Sequence, residues 1–209
     1  MTGALALLSS VLALAGPPPF DGSVAPIDAE TRARMSGVSW HPGCPVGFAD
    51  LRLVTVTHWD FEGDVRRGRL VVHRRQAQPV LGAMRRLYRL RFPIRRMRLI
   101  DAYGADDRRS MAADNTSAFN CRTVAGTTRW SEHAFGRALD LNPVENPYVT
   151  ASGYVSPPAG APYASRGRRA KGLVHAGGPV VRAFAAAGWE WGGDWAWPKD
   201  YQHFSATGR

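Results

Sequence analysis

Hydrophobic and polar positions along this chain change period several times, and each change predicts an element. From Asp50 to Trp59 they alternate, with Leu51, Leu53, Thr55 and Thr57 on one side and Arg52, Val54, Val56 and His58 on the other, which is the period of a β-strand. Phe61-Glu62-Gly63-Asp64 supplies turn residues, and Gly68 to His73 reads as a second strand that pairs with the first as a hairpin. Val80, Leu81, Met84, Leu87 and Tyr88 then recur at steps of three and four. That spacing predicts an amphipathic helix between Gln76 and Arg91, with Pro79 in its first turn and arginines on its outer face. Phe92-Pro93 breaks the helix, Ile94 to Ala102 alternates again as a third strand, and the aperiodic polar stretch 103–118 reads as a long loop.

Beyond it, Gly136 marks a turn and the following residues alternate once more. Ala138, Asp140 and Asn142 fall on one face of a strand and Arg137, Leu139 and Leu141 on the other. The proline- and glycine-rich segment from Pro143 to Gly172 reads as a surface loop, Pro179 to Ala187 as a short helix ended by Gly188, and Trp189 to Trp195 as extended chain with a Gly-Gly turn. These elements read as one domain spanning 37–209. Residues 16–36, rich in proline and small polar side chains, read as a linker. Residues 1–15 are uncharged and apolar, end in Ala13-Leu14-Ala15, and read as a secretory signal segment.

Composition narrows the setting. The 209 residues suffice for a sizeable core, and no run of about 18 apolar residues exists to span a bilayer. Cys44 and Cys121 are the only cysteines, a number that agrees with one disulfide in an oxidising compartment; His41 and Cys44 read alternatively as half of a zinc site, but no second cysteine pair completes it. The formal net charge of +10 implies attraction to polyanions. For an exported protein, anionic cell-wall polymers are the expected partners and nucleic acid is not.

Candidate chemistry centres on Ser131 to Asn142. On one helix His133 and Asp140 would lie roughly 10 Å apart along the axis, too far for one ion. With His133 before the turn and Asp140 on the strand after it, the two can converge, and His203 near the C-terminus offers a third ligand. Two imidazoles and one carboxylate leave a zinc ion one open position for water. Asp200 is the candidate general base, which requires a bend near Tyr201 because residues 200 and 203 of a straight strand face opposite ways. Glu190 is the reserve base, and Arg122 is a candidate for holding an oxyanion or a substrate carboxylate. Ser131 and Trp191 are candidate substrate contacts.

Ser131-x-His133-x-x-Gly136-x-Ala138-x-Asp140, followed by Asp200-x-x-His203, resembles the D-alanyl-D-alanine carboxypeptidase family of zinc peptidases, whose members include VanY-type carboxypeptidases and L-alanyl-D-glutamate endopeptidases. Ser117 to Arg122, Asn146-Pro147-Tyr148 and Trp189-x-Trp191-Gly192-Gly193 extend the resemblance over about residues 40–205. The resemblance implies a small α+β domain, an antiparallel sheet with flanking helices in the DD-peptidase (Hedgehog-like) fold, with which the strands and helices read above are compatible. It also implies one Zn2+ on His133, Asp140 and His203, an acidic base at Asp200 where many members have Glu, and a catalytic arginine placed at Arg122. The expected protein is a bacterial-type secreted or wall-associated monomer that hydrolyses peptide bonds of peptidoglycan. The alternative is a catalytically inactive wall-binding module of the same fold.

Overall fold

The computed structural model describes residues 18–209; the signal segment read at 1–15 lies outside them. The architecture is α+β, with four small sheets and four short helices. The alternation of residues 50–59 becomes β2 (Leu51–Trp59), which pairs antiparallel with β3 (Val65–His73) as the predicted hairpin, longer than expected at the start of β3. The apolar stripe of 76–91 becomes α2 (Ala77–Arg89), with Val80, Leu81, Met84, Leu87 and Tyr88 all buried. It lies against β2, and its buried face joins Val54, Val56, Leu70 and Val72 in the main core.

The N-terminal segment read as a linker departs from expectation. Residues 22–35 form β1 (Gly22–Pro26) and α1 (Ala29–Met35), and β1 adds a third strand to the hairpin in antiparallel register with Val56 to Arg52 of β2. Proline is compatible with an edge strand, where its missing N–H costs no ladder bond. Asp28 caps α1 by accepting from the Thr31 amide at 2.7 Å, and Met35 is fully buried beneath it.

The third predicted strand is another correction. Only β4 (Arg96–Met97) is extended, and it pairs parallel with β5 (Asn115–Thr116); Ile100–Tyr103 turns into a 3-10 helix. The stretch read as a loop at 103–118 contains α3 (Asp107–Ala112), started by Asp106, whose carboxylate accepts from the amides of Arg108 and Arg109. Alternation over so few residues does not separate a strand from a turn that also places every second side chain inward.

The second half of the chain builds two more sheets side by side. In one, β6 (Ala138–Asp140), β11 (His203–Ser205) and β9 (Glu190–Trp191) lie in the order 6-11-9, all antiparallel. In the other, β7 (Tyr148–Val149), β8 (Val155–Ser156) and β10 (Lys199–Asp200) lie in the order 10-7-8. Part of the predicted surface loop at 143–172 is therefore a hairpin. Buried Asn142 and Asn146 anchor that segment: the Asn142 amide donates to the carbonyls of Pro93 and Gly172, and that of Asn146 to Leu141 and Gly172. The short helix appears as α4 (Pro179–Ala185), whose Phe184 stacks on Phe204 of β11 at 4.1 Å. Phe204 is fully buried and ties the site-bearing sheet to the core.

Cys44 and Cys121 form a disulfide that closes a 77-residue separation. With its sulfurs joined, the cluster of His41, Cys44 and Cys121 has no thiolate to offer a metal. Among the described residues, no helix is long and apolar enough to cross a membrane.

Candidate metal centre and its cleft

His133 sits in a 3-10 turn (Glu132–Phe135) that Ser131 starts by accepting from the His133 amide and that Gly136 ends at φ 65. A side chain at Gly136 would meet the backbone of His73 at 2.5 Å, so the turn is pressed against the end of β3. From there β6 begins, and its antiparallel register puts Asp140 directly opposite His203. The bend required between Asp200 and His203 is present at Tyr201–Gln202, where β10 gives way to β11. A side chain at Gly192 would meet the Asp200 carbonyl at 2.6 Å and the Cβ of His203 at 3.3 Å, so only glycine lets the bend pack this closely.

The three predicted ligands converge. His133 Nε2 lies 3.3 Å from His203 Nδ1 and 3.4 Å from Asp140 Oδ2, and His203 Nδ1 lies 3.2 Å from Asp140 Oδ1. Donors at tetrahedral corners around an ion bonded at about 2.0–2.1 Å stand about 3.3–3.4 Å apart, so these spacings fit one small divalent ion. The tautomers fit as well. His133 Nδ1 lies 2.6 Å from the Ala118 carbonyl and His203 Nε2 lies 3.0 Å from the Arg209 carbonyl. A carbonyl only accepts, so each of those nitrogens carries a proton, and the other nitrogen is the one that faces Asp140 and would be free to bind a metal once deprotonated.

The charges of the cluster act strongly on one another. Burial would lower the pKa of His203, but the hydrogen bond and charge of Asp140 outweigh it and push it up to about 9. Burial would raise Asp140, yet the charges and hydrogen bonds of His133 and His203 hold it well below the usual carboxylate range. Burial pushes Asp200 the other way, up to about 6, with Asp140 adding to the rise and His203 opposing it. Asp200 Oδ1 is buried without a hydrogen-bond partner among the described residues. A buried carboxylate oxygen left without a hydrogen bond is costly in a purely structural role.

All four side chains line a cleft of about 910 Å³ together with Ser131, Arg122, Tyr148, Tyr154 and Trp195. Arg122 is ion-paired with Asp107, whose other oxygen accepts from the Asn120 amide at 2.9 Å. Trp191 is not in the cleft. It is buried in the core, where its indole N–H donates to the Tyr201 carbonyl at 2.8 Å and its ring lies against Phe204. Glu190 is exposed on the edge strand β9 and does not line the cleft. Sequence reasoning missed Asp107, which no motif marks, and the Ala118 and Arg209 carbonyls, which are backbone groups without a residue signature. It also missed Tyr148 and Tyr154 as cleft walls; the aromatic residues of a proline-rich segment were the available signal.

No curated protein and no solved structure matches the chain. Arg122 falls three residues before the matched span of the family comparison. Residues 125–206, which carry His133, Asp140, Asp200 and His203, match the model of the family described as D-alanyl-D-alanine carboxypeptidase.

Proposed function

We propose that this protein is a zinc-dependent peptidase, of the DD-peptidase fold, that hydrolyses peptide bonds in the stem or cross-links of peptidoglycan. The convergence of His133 Nε2, Asp140 and His203 Nδ1 at 3.2–3.4 Å beside the unpartnered Asp200 Oδ1 is the observation that carries this reading. His133, Asp140 and His203 would hold the metal, since two neutral imidazoles and one carboxylate match a catalytic zinc site with a position left open. A zinc ion there supplies Lewis acidity, acidifying water and polarising a carbonyl at neutral pH.

The chain's own residues do the rest. Asp200 takes a proton on its free Oδ1 from the attacking water and returns it to the departing amine; burial tunes it toward neutral pH for both tasks. Asp lacks one methylene relative to Glu, and the backbone and Cβ of Asp200 pack closely over Gly192, where a side chain would push the segment away. The Arg122 guanidinium, oriented by Asp107, stabilises negative charge on the carbonyl oxygen or a substrate carboxylate. Ser131 holds the turn that presents His133. Tyr148, Tyr154 and Trp195 wall the cleft and exclude water along the substrate backbone.

An extracytoplasmic, wall-associated location follows from this substrate, and the disulfide supports it. The test is digestion of purified peptidoglycan by wild type and Asp200→Ala, with products read by mass spectrometry and zinc by elemental analysis. New peptide termini from the zinc-loaded wild type alone are expected. Absence of stoichiometric zinc together with an unchanged muropeptide profile would sink the proposal and leave the non-catalytic wall-binding module in its place.

A further inference from the structure

Between Asp64 and Asp101 the chain holds twelve arginines and no acidic residue. The fold gathers one subset of them around a concavity of about 420 Å³ at the C-terminal end of α2, lined by Arg85, Arg89, Arg91, Phe20, Trp59 and Tyr88. None of these residues lines the catalytic cleft. Arg85, Arg89 and Arg91 are exposed, and among the described residues none of the three forms an ion pair.

Local stability does not account for the arrangement in full. The C-terminal helix dipole favours basic residues in the last turn, which covers Arg89. Arg85 and Arg89 are one helical turn apart, where like charges repel and destabilise the helix. Arg91 takes a left-handed backbone conformation, φ 51, at a position where glycine would be free of strain. What that conformation achieves is visible: the Arg91 guanidinium lies over the Trp59 ring at 5.0 Å, as Arg85 lies over Phe20 at 5.4 Å. Trp59 in turn stacks on Tyr88 at 5.3 Å, and its indole N–H donates to the Tyr88 carbonyl, so the platform beneath the guanidinium groups is fixed.

We propose that this concavity is a docking site for an anionic polyol-phosphate polymer of the cell wall, engaged through phosphate oxygens. The choice of wall polymer rests on the peptidoglycan reading above. The phosphate assignment rests on the donor set: three exposed guanidinium groups without ion-pair partners among the described residues, two of them held over aromatic rings, offer planar N–H forks of the kind that pairs phosphate oxygens bidentately. The same stacking argues against a single-stranded nucleic acid, because Arg85 and Arg91 already cover ring faces on which bases would stack. A flexible polymer with regularly spaced charges can bridge Arg85, Arg89 and Arg91 without needing a free aromatic face.

The experiment uses fluorescently labelled poly(glycerol phosphate), followed by anisotropy with the full chain, and separately the hydrolysis of a soluble stem peptide. The triple variant Arg85→Gln/Arg89→Gln/Arg91→Gln is compared with a charge-matched control, Arg32→Gln/Arg168→Gln/Arg169→Gln. Expected are an affinity loss of about tenfold or more for the first variant, a loss of about threefold or less for the control, and unchanged soluble-peptide hydrolysis for both. Equal losses in the two variants would show net charge at work and overturn the site. Tighter binding of oligothymidylate than of poly(glycerol phosphate) at equal charge would overturn the polymer assignment in favour of nucleic acid. Equally tight binding of polyglutamate would overturn phosphate recognition. Polymer binding is measured without peptide, so a failure of the peptidase reading leaves its own distinct result.

Discussion

The ring of His133 is held by Ala118: Nδ1 donates to that carbonyl at 2.6 Å, which fixes the tautomer and points Nε2 at Asp140 and His203. The orientation is set by backbone fifteen residues earlier in the chain. Its consequence is that the three donors are organised by the protein itself. Adding zinc should therefore raise the melting temperature of the wild type by several degrees, and His203→Ala or Asp140→Ala should abolish that rise. Differential scanning fluorimetry with and without zinc, alongside metal content, checks this.

Asp200 stands apart from the ligand set, since its Oδ1 has no partner. Asp200→Asn should keep zinc content and fold while lowering kcat by about 10²- to 10⁴-fold, the range of a lost general base. A variant that loses metal in proportion to activity would instead assign Asp200 to holding the site together.

Glu145 and Asp114 form a second acidic pair away from the cleft, with the Asp114 carboxylate 3.7 Å from the Arg95 guanidinium. Burial, reinforced by the charge of Asp114, pushes Glu145 up from 4.5 to about 8. For a group whose folded pKa is raised, the stabilising contribution is present in full below about 4.5 and is lost as pH rises through about 8. Glu145→Gln should flatten that alkaline loss and make the protein more stable than wild type at pH 9. Urea titrations at pH 5, 7 and 9 give the comparison.

Gly136→Ala should destabilise by about 1–3 kcal/mol, because the residue is left-handed and a Cβ would press on the His73 backbone. The damage should spread to the turn carrying His133. Weaker zinc binding in the folded fraction is the outcome to measure, by competition with a chelator of known affinity.

Opening the Cys44–Cys121 bridge should cost about 4 kcal/mol by loop-entropy reasoning. Arg122 follows Cys121 directly, so reduction should also raise KM by loosening the cleft wall. Denaturation and kinetics with and without reductant separate the two effects.

The convergence of the candidate ligands was legible in the sequence because their chemistry and spacing are local: His133, Gly136 and Asp140 sit in one stretch, and Asp200 and His203 in another. The hairpin β2–β3 and helix α2 were legible because each is long enough for its period to show. β1 and α1 were not, because prolines 17, 18, 19 and 26 signalled a linker and nothing local reveals that β2 has a free edge. The aromatic motif around Trp191 pointed to the cleft, yet the strand buries Trp191 in the core and leaves Trp195 to line the cavity. Side-chain direction on a two-residue strand is decided by its partner, which a sequence does not name.

The pairing of Asp140 with His203 across β6 and β11 has a consequence for how the site can fail. Side chains alternate along a strand, so a slip of β11 by one residue would turn His203 away and set Gln202 or Phe204 opposite Asp140. Phe204, locked between Phe184 and Trp191, forbids that slip. A residue outside the cluster is thus the register pin on which the convergence of His133, Asp140 and His203 depends.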